Sequence, residues 1–168
     1  MQIHKRKAGF TLIELLVVIA VVGVLAGAVI AIINPSVQLG RARNAQRKND
    51  LRSVANALEQ YLTVSGSYPP STTWCNTSGL GSFGSGSSTN CTTHPLTPLV
   101  SGGYLKKLPV DPSNIQTGAC GYIYFATSAN YKFLAYCSPE GVLDSTDPFK
   151  DPPRATSWSV YSPGGSGY

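Results

Sequence analysis

The stretch MQIHKRKAGFTLIELLVVIAVVGVLAGAVIAIINP, residues 1–35, decides how the rest of the chain is read. From Phe10 to Ile33 it runs for 24 residues with Glu14 as its only charge. As a helix rising about 1.5 Å per residue, that run spans roughly 36 Å, more than the ~30 Å hydrocarbon core of a bilayer. His4, Lys5, Arg6 and Lys7 stand before it with no acid among them. The positive-inside rule therefore predicts an N-terminus in the cytoplasm and the remainder of the chain outside.

Two ordinary readings compete for this stretch. A secretory signal has the same basic start, but its apolar region is shorter, and cleavage near Ala26 to Ala28 would be required. A plain membrane anchor fits the hydropathy and leaves Glu14 unexplained. A carboxylate at the centre of a membrane helix costs on the order of 2.5 to 3.5 kcal/mol on insertion scales, so it asks for a partner. No counter-charge lies within the helix. A cut between Gly9 and Phe10 would place a new α-amino group one turn from Glu14, at the positive end of the helix dipole.

The string KAGFTLIELLVVIAVVGVLA, with its basic leader, Gly9–Phe10 junction, Thr11 and Glu14, resembles the N-terminal signal of type IV pilins and type II secretion pseudopilins. The resemblance implies cleavage after Gly9 by a prepilin peptidase and N-methylation of Phe10. It also implies that Glu14 neutralises the α-amino group of a neighbouring subunit during assembly. The fold it implies is α+β and type IV pilin-like, a long N-terminal helix packed on a small antiparallel sheet. The partners it implies are further copies of the chain in a helical filament, the peptidase, an inner-membrane assembly platform and membrane lipid. The precursor would then be a single-pass protein of the cytoplasmic membrane, and the assembled filament would lie outside it.

Beyond the membrane stretch the helical pattern continues. Leu51, Val54, Ala55, Leu58, Tyr61 and Leu62 fall at i, i+3, i+4 and i+7 spacing. Arg41, Arg43, Arg47, Lys48, Arg52, Asn56, Glu59 and Gln60 are expected on the opposite, polar face. One helix from Thr11 to about Val64 would be roughly 80 Å long, with Gly23, Gly27 and Asn34–Pro35 as its weak points. The basic cluster from Arg41 to Arg52 reads first as a solvated face near lipid phosphates, and second as a DNA-binding surface. Loss of residues 1–9 removes Lys5, Arg6 and Lys7, so the formal net charge falls from +5 to +2 and the bulk-charge case for DNA weakens.

The expected organisation is a leader over 1–9, a membrane and assembly helix over 10–33, its amphipathic continuation over 34–65 and a head over 66–168. Within the head, residues 66–120 form a loop-rich connection, a hairpin covers about 121–138, and 139–168 is a variable C-terminal region. The Gly/Ser-rich segment after Gly66 reads as surface loop, followed by a short helix near Pro98 to Ser101. Strands are expected at Tyr122 to Phe125 and Tyr131 to Cys137, joined by a turn at Ser128 to Asn130, with a third at Ser157 to Tyr161. The tail SPGGSGY is expected to be flexible. The phrase YLKKLPVDP before a Tyr-rich hairpin again resembles major pseudopilins, and also minimal pilins.

Cys75, Cys91, Cys120 and Cys137 all fall on the exported side, and three disulfide pairings are possible. Cys75 with Cys91 would close the Gly/Ser loop, and Cys120 with Cys137 would tie neighbouring strands. Zinc is a poor alternative, because no C-x-x-C occurs and His94 is the only nearby imidazole. No catalytic constellation is visible, with one histidine left after cleavage and no G-x-S-x-G. The acidic stretch SPEGVLDSTDPFKD reads as solvated loop. Its place after the second strand, where major pseudopilins bind calcium, marks Asp144 and Asp147 as candidate ligands, although the spacing departs from their glycine-rich loop. The sequence favours a structural subunit of a type IV pilus-like filament, serving adhesion, motility or DNA uptake. A secretion pseudopilin driving protein export is the alternative, and a membrane-tethered monomeric binding module the third reading.

Overall fold

A computed structural model describes residues 9–32, 34–77, 82–83, 94–113, 120–136, 139–141 and 143–168. The chain divides into two compact units, Met1–Gln38 and Leu39–Tyr168. The first contains helix α1 (Leu12–Ile32), and its stretch Leu12–Val29 is long and apolar enough to cross a membrane. Gly23 and Gly27 lie within α1, where the backbone hydrogen-bond ladder carries them.

The single helix expected from Thr11 to Val64 is two. Helix α2 covers Pro35–Ser65, and the break falls at Asn34–Pro35. Proline has no N–H to give to the preceding turn, and its ring clashes with the carbonyl four residues back, so it tolerates only the first turn of a new helix. Asn34 supplies the cap. Its Oδ1 accepts from the Ser36 N–H at 3.2 Å and from the Ser36 hydroxyl at 2.7 Å, and its carbonyl accepts from the Gln38 N–H at 3.3 Å. At the other end Gly66, with φ 74°, donates its N–H to the Leu62 carbonyl at 2.8 Å and stops the helix.

The head unit is built on one antiparallel sheet. Its strands are β1 (Ser71–Asn76), β2 (Ser82–Phe83), β3 (Gly121–Ala126), β4 (Tyr131–Tyr136) and β5 (Trp158–Tyr161), in the order β2-β1-β3-β4-β5. Four are proper strands and β2 is a two-residue edge. The β3–β4 hairpin runs in unbroken register from Gly121↔Tyr136 to Ala126↔Tyr131, with the Thr127 N–H closing the turn on the Asn130 carbonyl at 2.8 Å. The expected strands and hairpin turn are thus present, as is the short helix, α3 (Thr97–Ser101).

Alternation along the strands sends Tyr122, Tyr124, Tyr131, Phe133, Ala135 and Trp158 to one face of the sheet. There they meet Leu51, Val54, Ala57 and Leu58 of α2 and Leu96 and Leu99 beside and within α3. Fully burying one such aliphatic side chain contributes about 1.5 to 3 kcal/mol, so this layer fixes the sheet on the helix.

Two expectations for the head are corrected. The segment after Gly66 is not wholly surface loop: β1 and β2 form a hairpin at the sheet edge, and Tyr68, Ser71, Cys75 and Asn76 are buried. Thr and Trp, good strand formers, are enough here despite the surrounding Ser and Gly. Nor is the tail loose. Ser162 donates its N–H to the Tyr131 carbonyl, Gly165 donates its N–H to the Ser162 carbonyl at 2.8 Å, and the Tyr168 ring meets Phe125 edge-on at 5.0 Å.

Candidate functional site

The junction marked by the sequence stands open. Gly9 and Phe10 precede α1, and Phe10 is 81 % exposed. A Cβ built at Gly9 would meet nothing within 4 Å, and Gly9 is not among the glycines with positive φ. Among the described residues nothing demands a glycine there.

Glu14 has a partner in its own chain, which the sequence reading missed. Its Oε2 accepts from the Thr11 N–H at 2.8 Å and from the Thr11 hydroxyl at 2.7 Å, while Thr11 Oγ1 accepts from the Glu14 N–H at 3.3 Å. This is a capping box: Thr11 caps α1 and Glu14, three residues on, reaches back to satisfy the cap's own N–H. The signal was present in the spacing Thr11-Leu12-Ile13-Glu14. The carboxylate therefore organises the first turn of the helix, with Oε1 bonded to no other described residue.

Three of the five cations on α2, Arg43, Arg47 and Lys48, pair with acids of the head, which corrects the reading of a face solvated throughout, while Arg41 and Arg52 stay exposed. Arg47 is fully buried. Its Nε and Nη2 donate to Asp111 Oδ2 and Oδ1 at 2.8 and 2.9 Å, Nη2 also reaches Ser113 Oγ at 2.9 Å, and Nη1 reaches Asn44 Oδ1 at 2.8 Å. Arg43 forks onto Glu140 at 2.5 and 2.6 Å, and Lys48 donates to Asp147 at 2.5 Å. Asn44 pairs with the Glu140 main chain in both directions, Nδ2 to the carbonyl at 2.8 Å and the N–H to Oδ1 at 2.9 Å. Gly40 leaves room for this approach, because a Cβ there would lie 2.8 Å from Glu140 Oε2. Burial opposes ionisation of Asp111, yet the bonds from Arg47 and Ser113 outweigh it and hold its carboxyl below the usual carboxylate range. Arg47 lies four residues before Leu51, so the helix period puts it on the core stripe rather than opposite it.

A second buried ion group ties down the C-terminal region. Lys132 Nζ donates to Asp151 Oδ1 at 2.7 Å and to the main-chain oxygens of Ser166 and Tyr168 at 2.8 and 2.9 Å. Asp151 also accepts from the Ser159 hydroxyl at 2.8 Å and from Arg154 at 2.9 Å.

Cys75 and Cys120 are disulfide-bonded. They do not bridge each other, because Cys75 faces Tyr124 and Cys120 lies four residues further along the ladder. At about 3.3 Å per residue that is roughly 13 Å, beyond the ~7 Å limit for a bridge. Cys91 and Cys137 lie outside the described residues. His94 accepts the Leu96 N–H at Nδ1, 3.0 Å, and burial pushes its pKa down to about 4.

The candidate calcium residues are engaged elsewhere. Asp144 Oδ1 accepts both the N–H and the hydroxyl of Thr146 at 2.8 Å. Asp147 Oδ2 faces Lys48, and Oδ1 accepts the Phe149 N–H at 3.0 Å. Calcium takes six to eight oxygens at about 2.3 to 2.6 Å, and an ammonium already holds that approach to Asp147, so the pair as arranged does not fit the ion.

An exposed, capped apolar helix, an open Gly–Phe junction before it and an α2-on-sheet head together define a membrane-anchored, single-pass protein of pilin-like α+β architecture. Residues 4–30 match the family described as the prokaryotic N-terminal methylation motif. The likeness extends well past that motif. The chain is 32 % identical over 111 residues to the type II secretion system core protein G of Pseudomonas aeruginosa, covering 65 % of this chain and 70 % of that protein. It is 32 % identical over 112 residues to the same-named protein of Aeromonas hydrophila (64 % and 68 %), and 30 % identical over 118 residues to that of Escherichia coli (67 % and 70 %). The chain belongs to the type II secretion system core protein G family of pseudopilins. No solved structure matches it.

Proposed function

We propose that this chain is the major pseudopilin of a type II secretion system, a subunit whose short filament drives protein export. One observation carries the reading over the pilus-like filament favoured by sequence alone. The proteins it resembles over about two thirds of its length bear the name of a secretion component. The precursor sits in the cytoplasmic membrane with Lys5, Arg6 and Lys7 inside and the head outside. Oxidised Cys75 and Cys120 suit a head outside the reducing cytoplasm.

Prepilin peptidase cuts between Gly9 and Phe10 and methylates Phe10. The glycine answers to the enzyme, since among the described residues nothing packs against it. The subunits then polymerise through α1, whose stretch Leu12–Val29 is apolar enough to cross a membrane. Glu14 receives the methylated amine of a neighbour's Phe10 on the oxygen its capping box leaves free. The chain acts as a structural part and not as an enzyme. DNA binding is disfavoured, because Arg43, Arg47 and Lys48 are spent on internal acids. Cys75 pairs with Cys91, and Cys120 with Cys137. The second pairing is supported by the last ladder pair, Gly121↔Tyr136, whose next chain positions outward are those two cysteines.

Deletion of the chain from its host tests the reading. Secreted proteins should accumulate inside the cell envelope while surface pili persist. Loss of pili with normal secretion would return the pilus reading.

A further inference from the structure

Ion pairs between α2 and Glu140 and Asp147 occupy the region where the family resemblance places a calcium. We propose that the C-terminal region is fastened to α2 by the chain's own cations, with the Lys48 ammonium at Asp147 standing in the place of a divalent ion, so that the head folds without calcium. This rests on contacts within the chain and is independent of which filament it builds.

Three observations carry it. First, the position is filled: Lys48 Nζ lies 2.5 Å from Asp147 Oδ2, and the other carboxylate oxygen is bonded to the Phe149 N–H. Second, the ammonium is held there by more than the carboxylate. It sits 4.7 Å from the centroid of the Trp158 ring and 5.9 Å from that of Phe149, both favourable cation–π distances. Swinging out to admit an ion would forfeit those contacts as well as the pair. Third, the local charges already balance. Glu140 is met by Arg43 and Arg47, Asp147 by Lys48, and Asp144 feels both Lys150 and Lys48. Arg52 adds a further cation over Phe149 at 4.8 Å. A divalent ion entering here would be repelled by Lys48, Lys150 and Arg52, and would find Asp144 turned back onto its own Thr146.

The test is thermal unfolding of the full chain in detergent micelles, with EDTA or with about 5 mM calcium chloride, a level above the weak extracellular range of calcium affinities. Wild type should give the same Tm in both. Lys48→Met in EDTA should unfold about 3 °C lower, as expected for loss of one partly exposed ion pair from a protein of this size. A wild-type Tm that rises with calcium, and no longer does so in Asp144→Asn, overturns the proposal. So does a Lys48→Met variant with the wild-type Tm. Should Lys48→Met fail to fold, the wild-type comparison decides by itself.

Discussion

Arg47 and Asp111 meet fork to fork, Nε to Oδ2 at 2.8 Å and Nη2 to Oδ1 at 2.9 Å, across 64 positions of chain. Both side chains are almost wholly buried, and the pair fixes the YLKKLPVDP loop to the helix that the sheet packs on. Planar bidentate pairing is a property of guanidinium that an ammonium cannot copy.

Arg47→Met should therefore leave Asp111 buried and without its partner, a loss of about 3 to 5 kcal/mol. Arg47→Lys should recover only part of that. Denaturant unfolding of the two variants measures it, and a wild-type midpoint for Arg47→Met would show that the loop is held by other contacts.

The same pair sets an acid limit. The Asp111 carboxyl titrates below its ordinary value when folded, so its contribution is complete above about pH 4 and is lost as pH falls through the folded pKa. Unfolding midpoints followed from pH 7 to pH 3 should fall for wild type. Asp111→Asn, weaker at neutral pH, should fall less steeply. Parallel slopes would remove Asp111 from the acid response.

Docking of the tail is testable at two glycines. A Cβ at Gly165 would come within 2.0 Å of the Tyr131 carbonyl oxygen, whereas one at Gly167 meets nothing within 4 Å. Gly165→Ala should expose the last residues to proteolysis and cost on the order of 1 to 3 kcal/mol, while Gly167→Ala should behave as wild type. Equal protease resistance in the two variants would mean that the tail is not seated against β4.

At the processing junction, Gly9→Leu should leave the fold untouched and abolish maturation, because the site's constraint lies in the peptidase. Mass spectrometry of the membrane fraction reads it. Wild type should begin at N-methylated Phe10 and the variant at the leader; a processed Gly9→Leu subunit would contradict the assigned junction.

Much of this fold was legible because its signals are periodic. The β3–β4 hairpin reads from Tyr-rich alternation on both sides of a Ser-Ala-Asn turn, and α2 from the spacing of Leu51, Val54 and Leu58. What escaped was held by contacts that composition does not carry. Arg47 looks like surface until Asp111 and Glu140, far along the chain, arrive to neutralise it. The tail is mostly glycine and serine, yet Lys132 holds its main-chain oxygens, which every sequence has. Asn34–Pro35 reads in the sequence as a weak point of one helix, and the Asn cap makes it the start of another. At the N-terminus the motif was plain, but Glu14 drew attention outward to a neighbour while Thr11 stood within reach in its own first turn.

That double role of Glu14 decides the central test. Glu14→Leu removes both the cap and the charge, whereas Glu14→Gln keeps a side chain that can close the capping box and loses only the charge. If the carboxylate receives a neighbour's Phe10 amine, both variants should be inserted and cleaved normally. The measurement is the yield of sheared filaments set beside the pool of mature subunit in the membrane. A full mature pool with no filaments from Glu14→Leu and few from Glu14→Gln is the predicted result. Wild-type filament yield from Glu14→Leu would contradict it.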